Sequence, residues 1–304
     1  MTRNFLPTGQ RPARVGVLAA VLAAVLAGCL DANAPSAAPK TRVSPEPTPV
    51  TTVYELGKQV WYAGLVITVD RVTATLDERG GIVEVVVGVA NPNADATNLN
   101  AAITLIAAGK RVAPTRDSRV PEVPGAGSVA AVLTYELQGI ASVDDAILEI
   151  GTSPVHLGRV PLTPRAGTAV TFEPRALDLA GTATASSLKV TLRGALVQWD
   201  LPDWSQELDA SLQALTLTYD VTYAGDFPGG LAFTGENIAL RLPDGTVIAA
   251  RRDGHSQSVE LIGARKTKKG LFSRFEIPAG VTGNFALLVR NAGTTKTIAF
   301  AIGG

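Results

Sequence analysis

Residues 65–76 read LVITVDRVTATL and residues 188–199 read LKVTLRGALVQW. In the first stretch Leu65, Ile67 and Val69 alternate with Val66, Thr68 and Asp70; the phase then slips by one, and Val72, Ala74 and Leu76 carry it on. In the second, Leu188, Val190 and Leu192 are followed after the same slip by Ala195, Val197 and Trp199, with no gap between the two patterns. Alternation at period two puts one set of side chains on one face of a strand. A one-residue slip exchanges the faces unless a bulge absorbs the extra residue. The matched slips therefore predict the same bulge, or the same sheet-crossing corner, in both copies.

The repetition extends outward from these strands. Val83, Val85, Val87 and Val89 correspond to Leu215, Leu217, Tyr219 and Val221. ITLIAAGKRV at 103–112 corresponds to IALRLPDGTVI at 238–248, each an apolar run, a turn at Gly109 or at Asp244 and Gly245, and a return strand. Tyr135-Glu136-Leu137 matches Phe275-Glu276-Ile277, and Ile147-Leu148 matches Leu287-Leu288 at equal spacing. No stretch of the mature chain sustains a 3.6-residue apolar period. About seven short strands per copy predict an all-β chain with two tandem immunoglobulin-like antiparallel β-sandwich domains, 51–164 and 168–304, each of ordinary domain size. The repeat argues against one closed barrel, and its length against a β-solenoid.

Composition narrows the chemistry. With 27 basic and 27 acidic side chains there is no electrostatic footprint for nucleic acid. One cysteine forms no intrachain disulfide, and one cysteine with two histidines builds neither a structural zinc site nor an iron–sulfur cluster. The histidines, His156 and His255, fall in different copies, and no G-x-S-x-G elbow accompanies them. The expectation is a binding module without catalysis, cofactor or metal, whose two histidines are surface or loop residues; the alternatives are a structural spacer and, least favoured, a hydrolase using the loop carboxylates Asp203 and Glu207.

The first residues set the compartment. Arg3, Arg11 and Arg14 precede the apolar run VGVLAAVLAAVL at 15–26, the layout of a signal peptide, and too short a run to cross a bilayer comfortably as a helix. Leu26-Ala27-Gly28-Cys29 resembles the lipobox of bacterial lipoproteins, and the only cysteine stands where that box needs it. The resemblance implies cleavage before Cys29, acylation of Cys29, and anchoring to a membrane through lipid. Each buried CH₂ contributes about 0.8 kcal/mol to such an anchor. Without residues 1–28 the chain keeps 24 basic against 27 acidic groups, a net charge of −3. Residues 29–50, rich in proline and alanine, read as an extended tether at about 3.1 Å per residue.

Each half also resembles the immunoglobulin-like domain of unknown function DUF4352, found in bacterial lipoproteins and secreted antigens. The residues that carry this are the strand 85–91 (VVVGVAN) ending in Asn91, the hairpin at Gly109, and the later Tyr135-Glu136-Leu137 and Phe275-Glu276-Ile277-Pro278. The second copy departs from it, with Tyr223 at the position of Asn91. The resemblance implies a fold and an exported setting, and no activity.

The longest insertion of the second copy, residues 200–211 (DLPDWSQELDAS), carries Asp200, Asp203, Trp204, Glu207 and Asp209, with Trp199 at its entrance. Its carboxylates lack the EF-hand order. The reading is a contact loop for an envelope protein or polymer, set against a plainer one in which a short helix or loop packs Trp204 on the sandwich edge. Arg251, Arg252, Arg265, Lys266, Lys268 and Lys269 form a basic concentration, expected in solvated loops beside a strand at 259–262. Trp61 and Tyr62 are expected at the start of a strand, as core or edge packing.

Overall fold

The computed structural model describes residues 48–252 and 259–303. Cys29, the leader and nearly all of the tether lie outside the described residues, as does His255. The first copy contributes β1 (Val50–Tyr62), β2 (Leu65–Asp77), β3 (Gly80–Asn91), β4 (Ile103–Ala107), β5 (Lys110–Val112), β6 (Gly127–Gln138), β7 (Ile147–Ile150) and β8 (Gly158–Pro161). The second begins with β9 (Arg175–Leu177), β10 (Gly181–Ala185), β11 (Leu188–Gln198), β12 (Asp200–Leu201), β13 (Gln206–Glu207), β14 (Leu212–Tyr223) and β15 (Leu231–Phe233). It continues through β16 (Ile238–Arg241), β17 (Val247–Ala249), β18 (Glu260–Ile262), β19 (Thr267–Pro278), β20 (Gly283–Asn291) and β21 (Thr294–Ile302).

The chain is all-β, and its sheets pair into two antiparallel sandwiches of one topology. In the first, β1-β2-β3-β6 faces β5-β4-β7-β8; in the second, β10-β11-β14-β19 faces β17-β16-β20-β21, with β9 also on β11. Eight strands of each copy therefore correspond one to one, and the second adds the small ladders β12-β13 and β15-β18. Each pair of sheets closes on its own core. Ile67, Val85, Leu105, Tyr135, Leu148 and Val160 are buried in the first. Val190, Leu217, Leu240, Phe275, Leu287 and Ile298 are buried in the second. Full burial of such a side chain contributes roughly 1.5–3 kcal/mol.

The phase slip is a bulge in both copies. Between β2 and β3 the register passes from Val69 opposite Val87 to Arg71 opposite Val86, leaving Asp70 as the extra residue. Between β11 and β14 it passes from Leu192 opposite Tyr219 to Gly194 opposite Thr218, leaving Arg193. Arg193 turns outward and pairs with Asp220 at 2.8 Å. That side-chain bond is the main reason the Asp220 carboxyl is held below the usual carboxylate range.

Three sequence expectations change. Leu105 pairs with Leu148, and Leu240 with Leu287, so Leu148 rather than Ile147 is the counterpart of Leu287; the run from Phe275 to Leu287 is one residue shorter than that from Tyr135 to Leu148. Trp61 and Tyr62 end β1 instead of starting a strand. Lys268 and Lys269 lie within β19, and much of the basic concentration is already matched: Lys268 with Glu260 at 3.2 Å, Arg265 with Asp226, and Arg251 with Glu276.

Candidate functional site

The site is built on a difference between otherwise matching hairpins. In the first copy the β2–β3 connection is the short turn at Asp77 to Gly80. In the second, residues 200–211 leave β11, form the ladder β12-β13 in which Asp200 faces Glu207, and return to β14. A 3₁₀ turn at Pro202–Trp204 makes the tip, closed by Ser205 in the left-handed region at φ 47°. Leu201 and Leu208 pack with Ala214 as a small apolar cluster of their own.

This insertion turns onto one end of the first sandwich. The two-residue turn between β1 and β2, Ala63-Gly64, stands at φ 50° and 81° and points both amides at it. Ala63 N donates to Glu207 Oε2 at 2.9 Å, and Gly64 N donates to Asp200 Oδ2 at 2.6 Å. Contact is too close for a side chain at residue 64: a β-carbon there would lie 2.8 Å from Pro202 Cα. Asn93 Nδ2 donates to Pro202 O at 3.3 Å, and Thr97 Oγ1 to Ser205 Oγ at 2.9 Å.

Beside these, the β7–β8 loop runs along the outgoing half of the insertion. Ala210 N donates to Pro154 O at 2.9 Å and His156 N to Leu208 O at 3.3 Å. His156 does lie in a loop, but it is buried, and its Nε2 sits 2.6 Å from Leu212 O, which requires the proton on that nitrogen. Its ring lies 4.9 Å from that of Phe172, which in turn lies 5.8 Å from Trp199. These aromatic contacts join the first copy, the connecting segment and the second copy.

The residues singled out in the sequence thus separate into three roles. Asp200 and Glu207 are buried, 5% and 7% exposed, and bond the first sandwich of the same chain. Asp203 accepts from Arg274 Nη2 at 2.7 Å, with Arg274 itself buried on β19. Trp204 remains 46% exposed at the tip, and the Asp209 carboxylate accepts from Ser211 N and Oγ.

Burial dominates the electrostatics. It pushes the Glu207 carboxyl up to about 8; the amide of Ala63 opposes this, and the charge of Asp200 adds to it. Asp200 is raised by the same cause, against the amide of Gly64 and the charge of Arg274. Tyr62 is pushed up to about 12, first by burial and then by Glu207. Glu207 Oε1 is buried and has no hydrogen-bond partner. Among the described residues no group of three metal-ligating side chains occurs, and no helix is long and apolar enough to cross a membrane.

Sequence reasoning found the insertion and missed what it meets. Ala63-Gly64 between two apolar runs was a usable hairpin signal; nothing local marked Arg274. Comparison with known proteins adds little. No family profile matches the chain and no curated protein does. One similar solved structure is "the crystal structure of the conserved domain protein from Bacillus anthracis", at 10% identity and a TM-score of 0.23, covering 82% of this chain and 90% of that one.

Proposed function

We propose that this protein is an exported, lipid-anchored component of the bacterial cell envelope that acts as a non-catalytic binding module, of the DUF4352-like kind its strands resemble. Cys29 would carry the lipid, and the tether would hold the folded part some tens of ångströms from the membrane at about 3.1 Å per residue. The observation that supports this best is the division of labour in the insertion. Its buried carboxylates are spent on joining the two sandwiches, while the Trp204 indole stays exposed at the seam. A half-exposed tryptophan on a fixed turn supplies apolar contact area at small entropic cost. An envelope protein or polymer is the partner class that this setting favours.

The joint also favours a second reading. Two sandwiches bonded to each other make a stiff spacer, which needs no ligand.

Intact mass of the native protein, with and without Cys29→Ala, tests the anchor. A chain beginning at Cys29 with added acyl mass supports it, and an unacylated chain released to the medium removes it. Pull-down from detergent-solubilised envelope with wild type and Trp204→Ala then separates the two readings. A partner enriched by the wild type and lost with Trp204→Ala supports the binding module. Reproducible absence of any partner leaves the spacer.

A further inference from the structure

The joint holds an oxygen that neither reading uses, Oε1 of Glu207. Glu207 meets the first sandwich through one oxygen only. Its Oε2 accepts from Ala63, and its Oε1 is buried without a partner. Directly across the β12-β13 ladder stands a second buried carboxyl, Asp200, on the amide of Gly64. Among the described residues no basic side chain forms an ion pair with Glu207. Tyr62 faces it from β1 and is neutral. Arg274 on β19 is paired with Asp203 of the 3₁₀ turn and acts on Asp200. His156 binds Leu212 O with Nε2, and Asp209 is turned to Ser211. A second negative charge in this place would be buried, unpaired and beside a like charge, an arrangement that costs far more in a closed joint than in an open, hydrated one.

We propose that the joint between the two sandwiches is a proton-controlled clasp: it closes with Glu207 protonated, and ionisation of Glu207 drives it open. The sign follows from linkage. The carboxyl titrates near 4.5 when hydrated and near 8 in the closed joint. The closed form therefore holds an extra proton between these values. The clasp is at full strength below about pH 4.5, weakens as pH rises, and has lost the contribution above about pH 8. A module built this way is stiff in a mildly acidic envelope and hinged in an alkaline one.

Amide hydrogen exchange by NMR on the mature chain, corrected for intrinsic exchange, reads this directly. Ala63 and Gly64 report the clasp, while Val85 and Leu217 report the two cores. The expected result is that opening at Ala63 and Gly64, relative to the core amides, rises by up to about tenfold per pH unit between pH 5 and 8. Glu207→Gln, neutral at every pH, should abolish that slope with the cores still protected. Equal protection across the range in the wild type, or a slope that survives in Glu207→Gln, overturns the proposal. Should Glu207→Gln fail to fold, Asp200→Asn decides. It removes the like charge, so the midpoint should move to lower pH than in the wild type, as long as the carboxyl of Glu207 is what titrates; an unmoved midpoint overturns the proposal. The readout requires no partner, so it stands apart from the test of the binding module.

Discussion

Gly64 is fixed twice over, by a φ of 81° that L side chains rarely adopt and by Pro202 pressed against the place a β-carbon would take. Gly64→Ala should cost roughly 1–3 kcal/mol, from backbone strain and a displaced insertion together. Urea titration checks it, and a loss under about 0.5 kcal/mol would mean that the turn is not held as described. Phe275 is a contrasting case: it is fully buried in the second core, and its role is packing alone. Phe275→Ala should cost roughly 3–5 kcal/mol, read from the same titration, and leave the amides of Ala63 and Gly64 protected.

Strands were legible because period-two alternation survives wherever one face is buried, and the slip at Asp70 and Arg193 was legible because it occurred twice. The off-by-one match of Ile147 arose because the run from Phe275 to Leu287 is one residue shorter than that from Tyr135 to Leu148, a difference that leaves alternation intact on either side. The joint was invisible for a different reason. Its bonds link residues 136 and 144 positions apart, between an irregular insertion and backbone amides, and backbone amides are the same in every sequence. The insertion is accordingly separable from the sandwich that carries it. Replacing residues 200–211 with a turn like that after β2 should leave the far-UV circular dichroism of the strands in place while exposing the amides of Ala63 and Gly64 to exchange. Loss of the β-sheet signal would show instead that the insertion holds up its own sandwich. Arg193→Ala, which removes a half-exposed ion pair at the bulge, should cost under about 1 kcal/mol by thermal unfolding.

Across the whole molecule, two cores with no common side chain are coupled through the insertion, the β7–β8 loop and the aromatic contacts at Phe172. Such a chain unfolds as one unit only while the coupling exceeds the difference in stability between its halves. Asp200→Ala combined with Glu207→Ala removes two of the joint's hydrogen bonds, each worth about 1 kcal/mol. Differential scanning calorimetry at pH 5 should then show two transitions where the wild type shows one; a single transition in both would mean that coupling runs mainly through the other contacts.

The bond between the sandwiches also has a direction. The first copy owns the turn that receives and has no insertion to give, whereas the second has the insertion but carries Ser186-Ser187 where the receiving turn would be. Ser187 brings a β-carbon to the position where Gly64 has none. Two second sandwiches therefore cannot grip one another by this contact, and neither can two first sandwiches. When separate chains meet, the compatible exchange seats the insertion of one chain on the first sandwich of another, reciprocally or head to tail, so any oligomer made through this seam is a swapped one whose formation requires each chain to release its own clasp first.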